Sequence, residues 1–264
     1  MSSGTTAAGR SGEHRVKVLI LGGTSEAREL AEIATGDRGF DLVSSLAGRV
    51  REPVLPEGHT RIGGFGGADG LREWLSANDI AAVVDATHPF AGAISRHAAR
   101  AAARAGLPIL HLRRPSWREE PADRWIRVPD LTAAAAAVAT FERIFLTIGR
   151  QGVSHFADLT RPWFLIRAID PPTGAVPPQH RLLLARGPFD PAAELALLDE
   201  HRITALVTKD SGGTMTEAKL LAARTRGIPV VMIDRPPLPD GAITAPTPAA
   251  AWEWLREVSG SAAG

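Results

Sequence analysis

The stretch that most limits what this chain can become is VKVLILGGTSEARELA at residues 16–31. Val16, Val18, Leu19, Ile20 and Leu21 form a short β-branched and aliphatic run, which suits a strand buried on both faces of a parallel sheet. Gly22, Gly23, Thr24 and Ser25 interrupt the run, and Ala27, Leu30, Ala31 and Ala34 then recur at helical spacing. A strand, a glycine turn and a helix start gather unpaired backbone N–H groups at one point, the usual physical basis for holding a phosphate. Gly22 and Gly23 let a ligand approach the main chain, while Thr24 or Ser25 caps the helix or bonds a phosphate oxygen. The spacing is not G-x-G-x-x-G, so the turn alone fits a plain hydroxyl-capped connection equally well.

Composition decides how often such a unit can be repeated. At 264 residues, 44% apolar and 22% charged, the chain holds one large α/β domain or two small ones. A net charge of +1 gives no support for nucleic-acid binding. Cysteine is absent, which excludes disulfides, thiolate nucleophiles and thiolate-bound metal, and no metal is expected. No apolar run reaches the roughly 18 residues of a membrane span. Residues 1–14 are rich in Ser, Gly, Ala and Thr without an apolar core. They read as a disordered lead-in and not as a signal peptide, and the expected location is cytoplasmic. Lys17, Lys209 and Lys219 are the only lysines. The remaining basic residues are arginines, which suit carboxylates and phosphates through paired hydrogen bonds.

Residues 40–45 read as a second strand. A dinucleotide-binding unit recognises the adenosine ribose at the end of this strand, with an acidic residue when the cofactor is NAD. Here Ser44 and Ser45 are followed by Ala47, Gly48 and Arg49. No carboxylate repels a 2′-phosphate, and Ser44 with Arg49 can bind one, which favours NADP; a solvated loop arginine is the alternative. Four glycines in GGFGG at residues 63–67 carry a high ordering entropy. Close passage of a ligand by Gly64 and Gly66 is one motive for them, and a flexible connector is the other. Helix 68–77 and strand 80–85 follow. DATHPFA at residues 85–91 then sits at a strand's carboxyl end, where α/β sheets place ligands, and His88 is held extended by Pro89. His88 either orients a ligand or is a structural turn histidine. A helix over 90–106 and a strand over 107–112 lead into RRPSW, and the charged, proline-broken residues 118–130 read as a linker.

The second half repeats the plan, with strands expected at 143–148, 163–169, 182–185, 203–208 and 229–233. The first of these ends in Gly149-Arg150-Gln151-Gly152 and the fourth in Lys209-Asp210-Ser211-Gly212-Gly213-Thr214. Gly212-Gly213-Thr214 echoes Gly22-Gly23-Thr24, each between a buried strand and a helix. The division is a domain over 15–117, a linker over 118–130, a second domain over 131–258 on the substrate side, and a tail over 259–264.

Together, GGTSEARELA at 22–31, GGFGG at 63–67, DATHPFA at 85–91, RRPSW at 113–117, TIGRQG at 147–152 and TKDSGGTMTEAK at 208–219 resemble the precorrin-6A reductase family of cobalamin biosynthesis. The resemblance runs from about Val16 to the closing helix. It implies an α/β fold of two Rossmann-like domains whose parallel sheets face a shared cleft. It also implies NADPH-dependent reduction of one double bond in precorrin-6A, a carboxylate-rich tetrapyrrole, to give precorrin-6B. The family's cofactor loop carries over to Gly22, Gly23, Thr24 and Ser25, and its 2′-phosphate contact to Arg49. Residues 87–91, with Thr87 beside the cofactor, and residues 209–213 are expected to line the cleft. Arg113, Arg114, Arg150 and Lys209 are expected to anchor substrate carboxylates, with His88, Gln151, Ser211, Gly212 and Gly213 around them. Lys209, Asp210 and His88 are the catalytic candidates, with Asp210, His88 or solvent as the proton source. A monomer or weak homodimer without a membrane partner is expected. The alternatives are another NADP-dependent Rossmann enzyme or a non-catalytic NADPH sensor. A short-chain dehydrogenase is excluded, because its Tyr-x-x-x-Lys pair needs a tyrosine and this chain has none.

Overall fold

The computed structural model describes residues 15–48 and 55–261. The expected lead-in at 1–14 and Arg49 lie outside the described residues. The first part of the chain runs β1 (Val16–Leu21), α1 (Ser25–Thr35), β2 (Phe40–Leu46), β3 (His59–Ile62), α2 (Gly67–Ala77), β4 (Ala82–Asp85), α3 (Gly92–Ala105) and β5 (Ile109–Leu112). There follow β6 (Trp125–Val128), α4 (Leu131–Val138), β7 (Arg143–Thr147) and a 3₁₀ turn (Arg150–Phe156). The chain then continues through β8 (Trp163–Ala168), β9 (His180–Leu184), α5 (Pro191–Glu200), β10 (Ala205–Lys209), α6 (Ala218–Arg226) and β11 (Val230–Ile233). It closes with β12 (Ile243–Ala245) and α7 (Pro248–Ser261).

The strands form two six-stranded sheets, β3-β2-β1-β4-β5-β12 and β9-β8-β7-β10-β11-β6, with parallel pairing throughout. Each has the strand order of a dinucleotide-binding fold. Each central strand is apolar on both faces because helices cover both. In β1, Val18 and Ile20 join a cluster with α1 and α7, while Leu19 and Leu21 join one with α2 and α3. In the second sheet, Ile144 and Leu146 of β7 face one cluster and Phe145 the other.

The sixth place in each sheet differs from the expected division. β6 lies within residues 118–130, where a linker was expected, and pairs with β11. After β11 the chain returns: β12 pairs with β5, and α7 packs on α1 with Ala251 and Leu255 in the first sheet's core. Residues 243–258 therefore complete the first sheet and not the second, and α7 runs into the expected tail. Both strands are three or four residues long and sit at sheet edges. A strand that short carries no usable hydrophobic period, and its partner is distant in sequence. The chain thus crosses between the sheets twice, after β5 and after β11. Among the described residues, no helix is long and apolar enough to cross a membrane.

Candidate functional site

In a sheet of this order, ligands sit beyond the carboxyl ends of the strands where the winding reverses. The reversal falls between β1 and β4 in the first sheet and between β7 and β10 in the second. The GGTS, THPFA, GRQG and KDSGG segments are the loops that leave these four strands. The strand ends that carry these four segments are therefore switch-point ends.

In the turn after β1, a side chain on Gly22 would meet Ala27 Cβ at 3.4 Å and Leu46 Cδ2 at 3.5 Å, so this glycine serves helix–strand packing. Gly23 has φ +113° and nothing within 4 Å of a would-be Cβ, so it is the position open to a ligand. Thr24 is the N-cap of α1. Its Oγ1 accepts from Ala27 N at 3.1 Å and donates to Ala86 O at 2.8 Å, which occupies the hydroxyl proton and ties this loop to the one after β4. Ser25 Oγ donates to Glu26 Oε2 at 3.2 Å. Glu26 places a carboxylate in the first turn of α1, where a phosphate would rest. Arg114 Nη1 meets it at 2.7 Å. Burial alone would raise the Glu26 pKa, but the charge of Arg114 and the hydrogen bonds around the carboxylate hold it below the usual value.

After β4, Asp85 is 3% exposed and accepts from Thr87 N at 3.1 Å and Thr87 Oγ1 at 2.6 Å. Its other oxygen lies 2.9 Å from Nδ1 of buried His111. The Thr87 hydroxyl proton is therefore taken by Asp85. Desolvation works against ionisation of Asp85, yet hydrogen bonds from His111, Ser95 and Thr87 keep its pKa low. His88 Nδ1 accepts from Phe90 N at 3.2 Å, which leaves the ring proton on Nε2. The imidazole is reached by solvent but stands in a recess walled by protein. Desolvation there, then the charges of Arg114, Lys209 and Arg235, push its pKa down to about 3. Phe90 packs against the core of the second sheet, and the Lys209 ammonium lies 5.3 Å from its ring centroid.

The two crossings bind this loop to the one after β10. Arg114 Nε donates to Ser211 O at 2.7 Å. Arg235, which carries no sequence motif, donates to Asp210 O at 2.7 Å, Arg114 O at 2.8 Å and Pro115 O at 3.1 Å. Arg113 reaches Pro89 O at 3.4 Å. Gly212 and Gly213 have φ +66° and +72°, and a Cβ on Gly212 would lie 2.1 Å from Pro115 O. They are glycines because the RRPSW crossing lies on them, not to leave a phosphate cradle. The echo with residues 22–24 does not extend to structure: α6 starts only at Ala218 and Thr214 does not cap it. Asp210 is 1% exposed, accepts from Trp117 N at 3.2 Å and meets Arg127 at 3.1 Å. Its carboxylate is a structural anchor between the crossing and β6. Its neighbour Lys209 is half-buried on the Phe90 side. Arg150 and Gln151 open the 3₁₀ turn after β7, with Arg150 3.8 Å from Asp170. The space among Thr24, Glu26, Thr87, Pro89, Leu112 and Arg114 is a crevice of about 10 Å³. Arg114 lines this crevice.

At the ends of β2 and β3 the arrangement departs from expectation. Ser44 is 2% exposed and shares the face of Leu42, toward α1, and its hydroxyl has no partner among the described residues. Period-two alternation puts Ser45 on the other face, where its hydroxyl accepts from Arg61 at 3.2 Å. Arg61 also donates to Gly63 O and Gly64 O, both at 2.8 Å. The sequence signal for Arg61 was a lone cation just ahead of GGFGG, with Phe65 and Trp74 in reach.

The comparisons with known proteins agree over nearly the whole chain. A family model described as "Precorrin-6x reductase CbiJ/CobK" matches residues 17–256. A precorrin-6A reductase of Rhodococcus erythropolis is 58% identical over 240 residues, covering 90% of this chain and 97% of the relative. One from Mycobacterium tuberculosis is 53% identical over 227 residues, 85% of this chain and 91% of the relative. Among solved structures, "CobK precorrin-6A reductase" superposes with a TM-score of 0.86 at 42% identity, covering 92% of this chain and 97% of that one.

Proposed function

The chain belongs to the precorrin-6x reductase family, and from that premise we propose that it reduces one double bond of precorrin-6A with NADPH, giving the dihydro product precorrin-6B in cobalamin biosynthesis. The observation that carries this reading is the gathering of Arg113, Arg114, Lys209 and Arg235 around the His88 loop, at the switch points of two dinucleotide-type sheets. A polycarboxylate macrocycle is the ligand such a concentration of positive charge suits.

The residues present fit a nicotinamide dinucleotide. Gly23 leaves the main chain of the turn after β1 open, and the start of α1 offers its N–H groups beside it. When bound, the reduced nicotinamide supplies the hydride. The protein's own contribution is orientation and exclusion of water. His88 stays neutral at physiological pH and offers an Nε2–H donor, so it binds and orients a substrate oxygen instead of delivering a proton. Asp210 is occupied by Trp117 and Arg127. The proton that accompanies the hydride therefore comes from solvent.

Anaerobic mixing of the protein with precorrin-6A and either NADPH or NADH, followed through the near-ultraviolet absorbance of the reduced nicotinamide, tests the reading. Oxidation of NADPH with little of NADH is expected. NADPH binding without oxidation by precorrin-6A or its cobalt-containing form would leave a sensor and sink the reductase assignment.

A further inference from the structure

Arg61 closes the carboxyl ends of β2 and β3, the side of a dinucleotide-binding sheet on which the adenosine ribose lies. Its guanidinium is fixed in plane. Nη1 donates to Ser45 Oγ and Gly63 O, Nη2 donates to Gly64 O, and the group lies 3.7 Å from the Phe65 ring centroid and 5.7 Å from that of Trp74. Among the described residues these bonds leave the Nε–H and the second Nη2–H unassigned. Nε and Nη2 share one edge of the guanidinium, which is spaced to take two oxygens of one anion. Arg224 and Arg226 use the same edge for Asp123 and Asp199, at 2.6–2.9 Å. The loop that Arg61 holds is approachable, since a Cβ on Gly63, Gly64, Gly66 or Gly67 would meet nothing within 4 Å. β2 itself ends in Ser44, Ser45 and Leu46, with no carboxylate for ribose hydroxyls.

We propose that Arg61 is the residue that selects NADPH over NADH, taking the 2′-phosphate of the adenosine ribose on its Nε–Nη2 edge beside the open GGFGG loop. The assignment rests on the NADPH reading above. Stacking on Phe65 and the two glycine carbonyls pre-set the fork, so its orientation exists before the phosphate arrives. A lysine at this position supplies charge without the fork.

Calorimetric titration of the full chain with NADPH, NADH, 2′,5′-ADP and 5′-AMP tests this. Wild-type protein is expected to prefer NADPH to NADH and 2′,5′-ADP to 5′-AMP. Arg61→Gln is expected to weaken NADPH and 2′,5′-ADP by about 10- to 100-fold while leaving NADH unchanged. Arg61→Lys, which keeps the charge, should fall between them. Equal weakening of NADPH and NADH in both variants would make Arg61 a loop brace only, and an unchanged preference would place phosphate selection elsewhere; either overturns the proposal. A wild-type protein that itself shows no preference for the 2′-phosphate would instead overturn the NADPH reading, and this assignment with it.

Discussion

Arg114 Nη1 lies 2.7 Å from Glu26 Oε2 while its Nε donates to Ser211 O at 2.7 Å, so one side chain ties the first turn of α1 to the loop after β10. On the NADPH reading, this cation lies beside the helix start that a phosphate would take. Glu26 is the like charge that any bound phosphate must face at the helix start.

Replacing Glu26 with Gln is expected to tighten NADPH binding about 2- to 5-fold at low salt, the size of a charge effect at a helix terminus. The same change should cost about 0.5–1 kcal/mol in urea unfolding, since the pair is largely but not wholly buried. Glu26 has a depressed native pKa, so its stabilisation is present above the ordinary carboxylate value and is lost as pH falls. The variant should therefore lose less stability than wild type on acidification. A weaker NADPH constant in Glu26→Gln would mean that the carboxylate binds the cofactor and does not oppose it.

His88 also costs stability on acidification, but through burial of a neutral imidazole and not through a lost ion pair. Between pH 3 and 6.5 the unfolded imidazole holds a proton that the native one does not, so His88 removes stability as pH drops below 6.5. The difference in urea midpoint between wild type and His88→Asn should shift in favour of the variant from pH 7 to pH 5. In catalysis, loss of the Nε2–H donor should lower kcat/KM about 10-fold or more without moving the pH profile between 6 and 8. A wild-type limb near 6.5 that disappears in His88→Asn would show that the residue titrates there and acts as an acid.

Much of this architecture is legible in the sequence, and the parts that are not share a physical reason. β1, β4, β7 and β10 announce themselves because a strand buried on both faces must be apolar throughout. β6 and β12 do not, because each is a short edge strand specified by a partner strand far away in sequence. The site shows the same division. Gly22, Gly212 and Gly213 are visible as glycines, but what they make room for is Ala27, Pro115 and Arg114, which only tertiary contact reveals. Lys209 and Asp210 stand side by side in the sequence, and alternation sends one toward Phe90 and the other into the anchor beneath Trp117. Ser44 and Ser45 pose the same ambiguity, resolved by which of them meets Arg61.

The docking of RRPSW on the glycine turn can be measured against an internal control. Gly212 and Gly227 both have φ near +64°, at +66° and +62°, but a Cβ on Gly227 meets nothing within 4 Å. Gly227→Ala should cost about 1 kcal/mol, the left-handed backbone penalty alone. Gly212→Ala should cost more than ~3 kcal/mol, because its Cβ would also overlap Pro115 O and Arg235. Urea unfolding of both variants decides the matter, and equal losses would mean that the crossing gives way at little cost.

Lys219 provides a test away from the ligand. It is 3% exposed on α6, donates to Thr216 O at 2.6 Å and lies 4.9 Å from the Trp117 ring centroid. Close by, Arg167 and Glu194 form a buried two-bond pair, and Glu217 adds a second carboxylate. Desolvation and then the charge of Arg167 push the Lys219 pKa down to about 7, against smaller opposing effects of Glu194 and Glu217. A lowered pKa means that from pH 7 to 10.5 the unfolded chain holds a proton the native state lacks, so stability rises with pH across that window. The slope can approach about 1.4 kcal/mol per pH unit. Unfolding midpoints collected from pH 6.5 to 9.5 should therefore climb for wild type and lose most of that climb in Lys219→Met, which keeps the unbranched apolar stem and removes the ammonium. A slope shared by both proteins would assign the titration to another group and leave Lys219 charged in its burial, held by Glu194 and Glu217.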